Sequence, residues 1–275
     1  MAAASTDQVD FVNGRTRLCG IVGDPIAQVR SPEMVTWAMR RRGLDAVLVP
    51  MHVREADFDV VLPPLMRLAN LDGLIFTIPF KARACALADV LGPQARAVGA
   101  LNALARDPRG RWHGEMFDGL GCVEGLRCAG VPLAGRRVML VGLGGAGSAI
   151  AAAIAAEGPA MLRVHDLDPA RCERVAALVH AASPGTELVV GPPVVDGIDV
   201  LVNATPVGML GDPRRPIDAT RLPPSLVVLD AIVMPETTPL LAFAEAQGCR
   251  TVRGREMMRG QISRIVDFFE ATGRG

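Results

Sequence analysis

The feature that most constrains the fold is a glycine turn, Gly142-Leu143-Gly144-Gly145-Ala146-Gly147, between an apolar run (Val138 to Val141) and an alanine-rich stretch (Ser148 to Ala156). The pattern G-x-G-x-x-G alone matches many loops. Flanked by a buried-strand signal and a helical one, it has a defined use. The glycines permit a tight turn and close backbone approach, and the helix start offers unpaired N–H groups and positive partial charge to a pyrophosphate. Such a unit is expected to carry an acidic residue about 20 positions on, against the adenine ribose. Asp166 stands there, just after the strand Leu162 to Val164. A carboxylate at that strand end accepts hydrogen bonds from a ribose 2′-hydroxyl and repels a 2′-phosphate. NAD is therefore expected over NADP, with Arg171 on the following helix as a nearby cation.

Val138 to Ala156 is uncharged and nominally long enough to span a membrane, but the glycines divide it into strand, turn and helix. Strand and helix signals alternate along all 275 residues, as in parallel α/β proteins. Strands are expected at Leu18 to Val22, Val47 to Val49, Leu74 to Ile78, Leu188 to Val190, Val200 to Val202 and Leu226 to Leu229. Ser31 is expected to cap a helix running to about Arg42, and Pro79 to open one running to about Leu91. Asp107-Pro108-Arg109-Gly110 reads as a turn. The last helix, about Arg255 to Glu270, carries Met257, Met258, Ile262, Ile265, Val266 and Phe269 at helical spacing, a stripe suited to core or interdomain packing. The seam between two α/β domains falls near residue 118.

The 29 basic and 29 acidic residues cancel, so no general field attracts a polyanion or an anionic membrane. Aromatic residues are 4% of the chain and tyrosine is absent, which disfavours base stacking on a single strand. Neither the six cysteines nor the four histidines show metal-ligand spacing, and no metal is expected. Scattered cysteines without a Cys-x-x-Cys pair fit a reduced, cytoplasmic protein, and Met1 to Asp7 lacks the pattern of a signal peptide. The partner expected is a small molecule, with neither nucleic acid nor membrane involved; a homodimer is compatible with the sequence.

Of the 29 basic residues only Lys81 is a lysine. A chain that uses guanidinium elsewhere keeps an ammonium where a compact or deprotonable cation is needed, unless one surface lysine survived by chance.

Several motifs then occur in a fixed order. Gly23-Asp24-Pro25-Ile26 and Ser31-Pro32 are followed by Thr77-Ile78-Pro79-Phe80-Lys81, Gly99-Ala100-Leu101-Asn102 and Asp118-Gly119-Leu120-Gly121. The glycine turn, Asn203-Ala204-Thr205-Pro206-Val207-Gly208-Met209, Thr238-Pro239-Leu240-Leu241 and Gly254 to Gln261 complete the set. In this order they resemble the shikimate dehydrogenase family over nearly the whole chain. The resemblance implies a substrate-binding domain (residues 1–117, completed by helix 255–275) and a Rossmann-like NAD(P) domain (118–254). It implies reversible oxidation of a ring hydroxyl of shikimate, quinate or a related cyclic polyol, the chemistry of aromatic amino acid biosynthesis. Lys81 and Asp118 match the family's catalytic pair. Ser31, Thr77, Asn102 and Gln261 match substrate-binding positions, and Gly142, Gly144, Gly145, Ala146, Gly147, Asp166, Asn203, Thr205, Pro206 and Gly254 match cofactor-binding ones. Hydride loss needs a group to take the hydroxyl proton, and a lysine serves where burial favours its neutral form. Asp118, just before a helix, has an alternative use as an N-cap.

The departures cluster. Val29, Ile75 and Val233 stand where the family carries a serine, an asparagine and a tyrosine at the end of the pocket that grips the substrate carboxylate. Ala103, Met116 and Phe117 replace further polar residues of the family pattern. A carboxylate buried there without partners would cost roughly 1–3 kcal/mol per unmade hydrogen bond, more for a charge. Shikimate is thus expected to be a poor substrate beside a less acidic cyclic alcohol, or one whose carboxylate lies near Arg30. The competing reading is that Arg30 and Ser31 hold the acid. A non-catalytic dinucleotide sensor is a further alternative, against which Lys81 and Asp118 both stand.

Overall fold

Two six-stranded sheets, each wrapped by helices, divide the chain. The computed structural model describes residues 12–273. The expectation about a signal peptide rests on residues outside that range. The first sheet is built from β1 (Arg17–Gly23), β2 (Ala46–His52), β3 (Leu71–Phe76), β4 (Val90–Leu91), β5 (Ala103–Arg106) and β6 (Trp112–Glu115). With it run α1 (Ser31–Arg41), α2 (Phe58–Leu65) and α3 (Pro93–Val98). The chain then passes through α4 (Asp118–Cys128) into β7 (Arg137–Val141), α5 (Gly145–Ala156), β8 (Met161–His165), α6 (Pro169–Ala182) and β9 (Leu188–Val190). It continues with β10 (Val200–Asn203), β11 (Val227–Asp230), α7 (Pro239–Ala246), β12 (Arg250–Val252) and α8 (Gly254–Thr272).

The second sheet has the order β12-β11-β10-β7-β8-β9 with every pair parallel, the doubly wound arrangement. Its winding reverses between β7 and β10, and the crevice at their carboxyl ends is where such sheets bind ligands. The first sheet, β2-β1-β3-β5-β6-β4, is not the purely parallel sheet the alternation implied. β5 runs antiparallel to both β3 and β6, and the Asp107–Gly110 turn joins it to β6 as a tight hairpin. The Asp107 carboxylate holds that turn by accepting from the Arg109 and Arg111 N–H groups.

Some boundaries differ from the sequence reading. The third strand ends at Phe76, where Thr77 to Phe80 forms a turn closed by the Phe80 N–H on the Thr77 carbonyl. No helix runs from Pro79 to Leu91; a short 3₁₀ turn (Arg83–Leu87) and β4 take its place, and Leu101 N–H bonds the Lys81 carbonyl instead. Helix α2 lacked a sequence signal because Pro63 and Pro64 lie inside it. They fall in its last turn, and the buried Phe58 and Leu62 anchor it, with Phe58 stacked on Phe80 at 4.6 Å. Helix α5 starts at Gly145, three residues earlier than read, so the glycines themselves make its first turn.

Helix α8 crosses back from the second sheet to the first. The Phe269 ring fills the space over Gly73 of β3, and Ile262, Ile265 and Val266 pack with Ile75 of β3 and Ala103 of β5. Helix α4 lies along α8 at Gly121 and Gly125, where a Cβ would approach the Met257 backbone to 2.7 and 2.9 Å.

Candidate active site

One cavity of about 1200 Å³ runs between the two sheets, and most of the residues singled out from the sequence line it. Lys81 sits on the turn after β3, and Asp118 is the first residue of α4. Lys81 Nζ donates to Asp118 Oδ2 at 2.6 Å; the aspartate side chain is 4% exposed, the lysine 19%. Asn102 Nδ2 donates to Asp118 Oδ1 at 3.2 Å and to Gln261 Oε1 at 2.9 Å, while Asn102 Oδ1 accepts from the Phe117 N–H at 2.9 Å. Asp118 is therefore not an N-cap. Phe117 holds that position without a side-chain cap, and the carboxylate is spent on Lys81 and Asn102, with the helix N-terminus adding favourable charge. Ser31 is not the cap of α1 either: Arg30 is, and the Ser31 hydroxyl lies 3.8 Å from Met258 Sδ in the cavity wall.

The glycine turn borders this group directly. A Cβ on Gly145 would meet Lys81 Cβ at 3.2 Å and Ala100 Cβ at 3.3 Å, so the start of α5 abuts the lysine. A Cβ on Gly147 would lie 1.9 Å from the Gly142 carbonyl oxygen, and Gly142 itself has φ +91°. Only glycine fits at both. The first N–H groups of α5 then face the cavity across Gly144, Gly145 and Ala146, a cradle suited to a pyrophosphate.

Asn203 and Gly147 lie behind the wall rather than in it. Asn203 is fully buried; its Oδ1 accepts from the Thr205 N–H and hydroxyl, and its Nδ2 donates to Asp230. Asp230 also accepts from the Thr238 hydroxyl and the Ile232 N–H. Burial pushes its carboxyl up to about 6 against those hydrogen bonds. The loop bearing Thr205 and Pro206 is fixed by this network. Gly254, at the start of α8, presses on the Ile232 carbonyl, where a Cβ would approach to 2.3 Å.

Asp166 has a role beyond the one read from the sequence. Its Oδ2 accepts from the Leu143 N–H at 2.7 Å and its Oδ1 from the Asp168 N–H at 2.9 Å, so it pins the glycine turn to the end of β8. Burial works to raise its pKa, but those N–H groups and Arg171 outweigh it and hold the carboxyl below its ordinary value. Arg171 lies 3.6 Å from Asp166 and 3.4 Å from Asp168. Arg174, Arg214 and Arg215 also reach the cavity, and sequence reasoning passed over them; the Arg-Arg-Pro run at 214–216 was the available signal.

One part of the cavity wall is apolar. Val29, Ile75 and Val233 line it with Ile21, Met258 and Ile262. The methionine and isoleucines of the α8 stripe thus face the cavity as well as the core. No group of histidine, cysteine and acidic residues able to hold a metal occurs among the described residues, and none of their helices is long and apolar enough to cross a membrane. All six cysteines are free.

A family model described as the shikimate dehydrogenase substrate binding domain matches residues 21–104. A shikimate dehydrogenase (NADP(+)) of Rhodospirillum rubrum is 34% identical over 257 residues, 91% of this chain and 90% of the relative. The chain belongs to the shikimate dehydrogenase family. Among solved members, the shikimate 5-dehydrogenase of Listeria monocytogenes, in complex with shikimate and NAD, superposes with TM-score 0.81 at 27% identity. That match covers 95% of this chain and 94% of the other. The 5-ketofructose reductase of Gluconobacter sp. strain CHM43 gives TM-score 0.79 at 29% identity over 96% of both chains.

Proposed function

We propose that the chain catalyses reversible hydride transfer between a nicotinamide dinucleotide and a ring hydroxyl of shikimate, quinate or a related cyclic polyol. As a member of the shikimate dehydrogenase family it is an NAD(P)-dependent oxidoreductase. The observation that carries the assignment to this site is the 2.6 Å Lys81–Asp118 pair set directly against the glycine turn. The cradle fits a dinucleotide: the Gly142 and Gly147 positions exclude a side chain, and the helix start supplies donors. Bound there, the dinucleotide supplies the hydride acceptor.

The chain's own residues do the rest. Lys81 and Asp118 bracket the reacting hydroxyl, Lys81 takes its proton as hydride leaves carbon, and Asp118 holds the ammonium so formed. Asn102 orients Asp118 and Gln261, and the amide nitrogen of Gln261 serves a neighbouring hydroxyl. The described residues up to 117, with α8, serve as the substrate-binding unit and the residues from α4 to β12 as the dinucleotide unit, so both halves must meet for turnover.

NAD is favoured over NADP because the ionised Asp166, with Asp168 beside it in the cavity wall at the end of β8, would repel a 2′-phosphate, and Arg171 is already engaged by both carboxylates. The relative from Rhodospirillum rubrum is named for NADP(+), whereas the Listeria enzyme was solved with NAD. Nicotinamide reduction followed at 340 nm near pH 9, crossing NAD and NADP with shikimate, quinate and cyclic diols, tests both points. Turnover with NAD at least tenfold more efficient than with NADP is expected, and Asp166→Ser should narrow that ratio. Absence of turnover on every polyol would refute the activity, and a preference for NADP would refute the cofactor assignment alone.

A further inference from the structure

The two ends of the substrate part of the cavity differ in chemistry. One end holds Lys81, Asp118, Asn102 and Gln261, all polar and mutually bonded. The other is a continuous aliphatic surface whose register is fixed by the sheet: Ile21 of β1 pairs with Ile75 of β3, and Ile75 pairs with Ala103 of β5. Paired residues share a face, so these three form one row. Met258, Ile262 and Ile265 of α8 close over that row, and Val29 and Val233 complete the wall.

A carboxylate entering this end would need several donors, and the wall's side chains offer few. The Asn102 amide donates to Asp118 and Gln261, and Lys81 Nζ is engaged by Asp118. Ser31 and Thr77 contribute one hydroxyl each, that of Ser31 beside Met258 Sδ. Arg30 also lines the cavity but is exposed, with its guanidinium 3.8 Å from Met234 Sδ, so an anion held by it would stay solvated rather than buried against the wall. A buried anion is tolerated only when paired and hydrogen-bonded. An uncharged group loses nothing comparable on entering and gains by burial.

We infer that the substrate presents an uncharged end to the wall formed by Val29, Ile75, Val233, Met258 and Ile262, so that the preferred substrate is a cyclic polyol without a carboxylate there. This rests on the proposed activity and concerns the same site. Its 5-ketofructose-reducing structural neighbour indicates that the fold accommodates such chemistry.

The test compares shikimate with its methyl ester on the unmodified protein at pH 8, with NAD and NADP. The two probes share ring and hydroxyls and differ in charge at the far end. A kcat/KM at least tenfold higher for the ester is expected. Ile75→Asn, which places amide donors in the wall, should lower the ester-to-acid ratio by about tenfold. Equal or greater efficiency on the acid overturns the inference and leaves the proposed activity standing. Silence on both probes and on the cyclic diols, from protein that still binds NADH, overturns the activity and the inference with it, whereas turnover of the diols alone supports the inference. Should Ile75→Asn fail to fold, the comparison on the unmodified chain decides alone.

Discussion

Replacing Lys81 by alanine separates the catalytic role of the pair from its structural one. Alanine keeps the Cβ that faces Gly145, where an added Cβ would come within 3.2 Å of it, so the contact with the glycine turn is kept. What is lost is Nζ and its 2.6 Å bond to Asp118 Oδ2. A positioned proton acceptor contributes about 10²–10⁴-fold, so kcat should fall by that factor, roughly 3–5 kcal/mol of transition-state stabilisation. Asp118 would keep Asn102 Nδ2 at 3.2 Å but lose its cation; since its side chain is only 4% exposed, folding stability should drop as well. About 1–3 kcal/mol is expected, at the low end of a broken buried pair because water can enter the space vacated by Lys81. Three measurements separate these effects: steady-state rates at 340 nm, NADH affinity by fluorescence titration, and a urea unfolding curve. NADH affinity should change less than about threefold, because Nζ is held by Asp118 rather than by the glycine turn. Lys81→Arg, which keeps a cation but cannot release its proton at neutral pH, should lose as much rate as the alanine variant. A Lys81→Ala enzyme with kcat within threefold of the unmodified one, or a fully active Lys81→Arg, would refute proton acceptance by this residue.

Two further predictions concern the dinucleotide half. In Gly147→Ala the added carbon would lie 1.9 Å from the Gly142 carbonyl, forcing the turn open; NADH affinity should weaken by about 100-fold, and retention within threefold would show that the turn is not the binding element. Asp230 has a carboxyl raised to about 6 by burial, so the folded state holds its proton more tightly than the unfolded chain does. Stability should therefore fall as pH rises from about 4 to about 6, by roughly 3 kcal/mol in total, and change little from this group above that. Asp230→Asn should flatten that part of the pH–stability curve, and an unchanged slope would assign it to other groups.

The dinucleotide half was legible because its signals are local: β7, the glycine turn and α5 are contiguous in the chain, and glycine is compelled by sterics at 142 and 147. The apolar wall was half legible. Val29, Ile75 and Val233 were marked by comparison with a pattern, whereas Ile21, Met258 and Ile262 were not, since an aliphatic residue facing a cavity looks the same in sequence as one facing the core. The arginines at 174, 214 and 215 escaped because nothing local distinguishes them from the many other arginines. Asp118 and Ser31 were offered as caps because a polar residue before a helix usually is one; each lies one residue inside its helix, which frees its side chain for the cavity. Helix α2 and the mixed first sheet were missed for tertiary reasons: buried aromatic packing outweighed two prolines, and a hairpin turn set strand direction.

The chain passes between the two sheets twice, at the start of α4 and at the start of α8, and those two helices lie against each other through glycines. Any widening of the cleft that preserves this contact must pivot about a line near Asp118, as a door turns on two pins. Leverage then grows with distance from that line. Asp118 sits where travel is least, while residues of the second sheet farther from that line would sweep a longer arc. Loading and release of a ligand could then proceed at the rim while the carboxylate that positions Lys81 hardly moves.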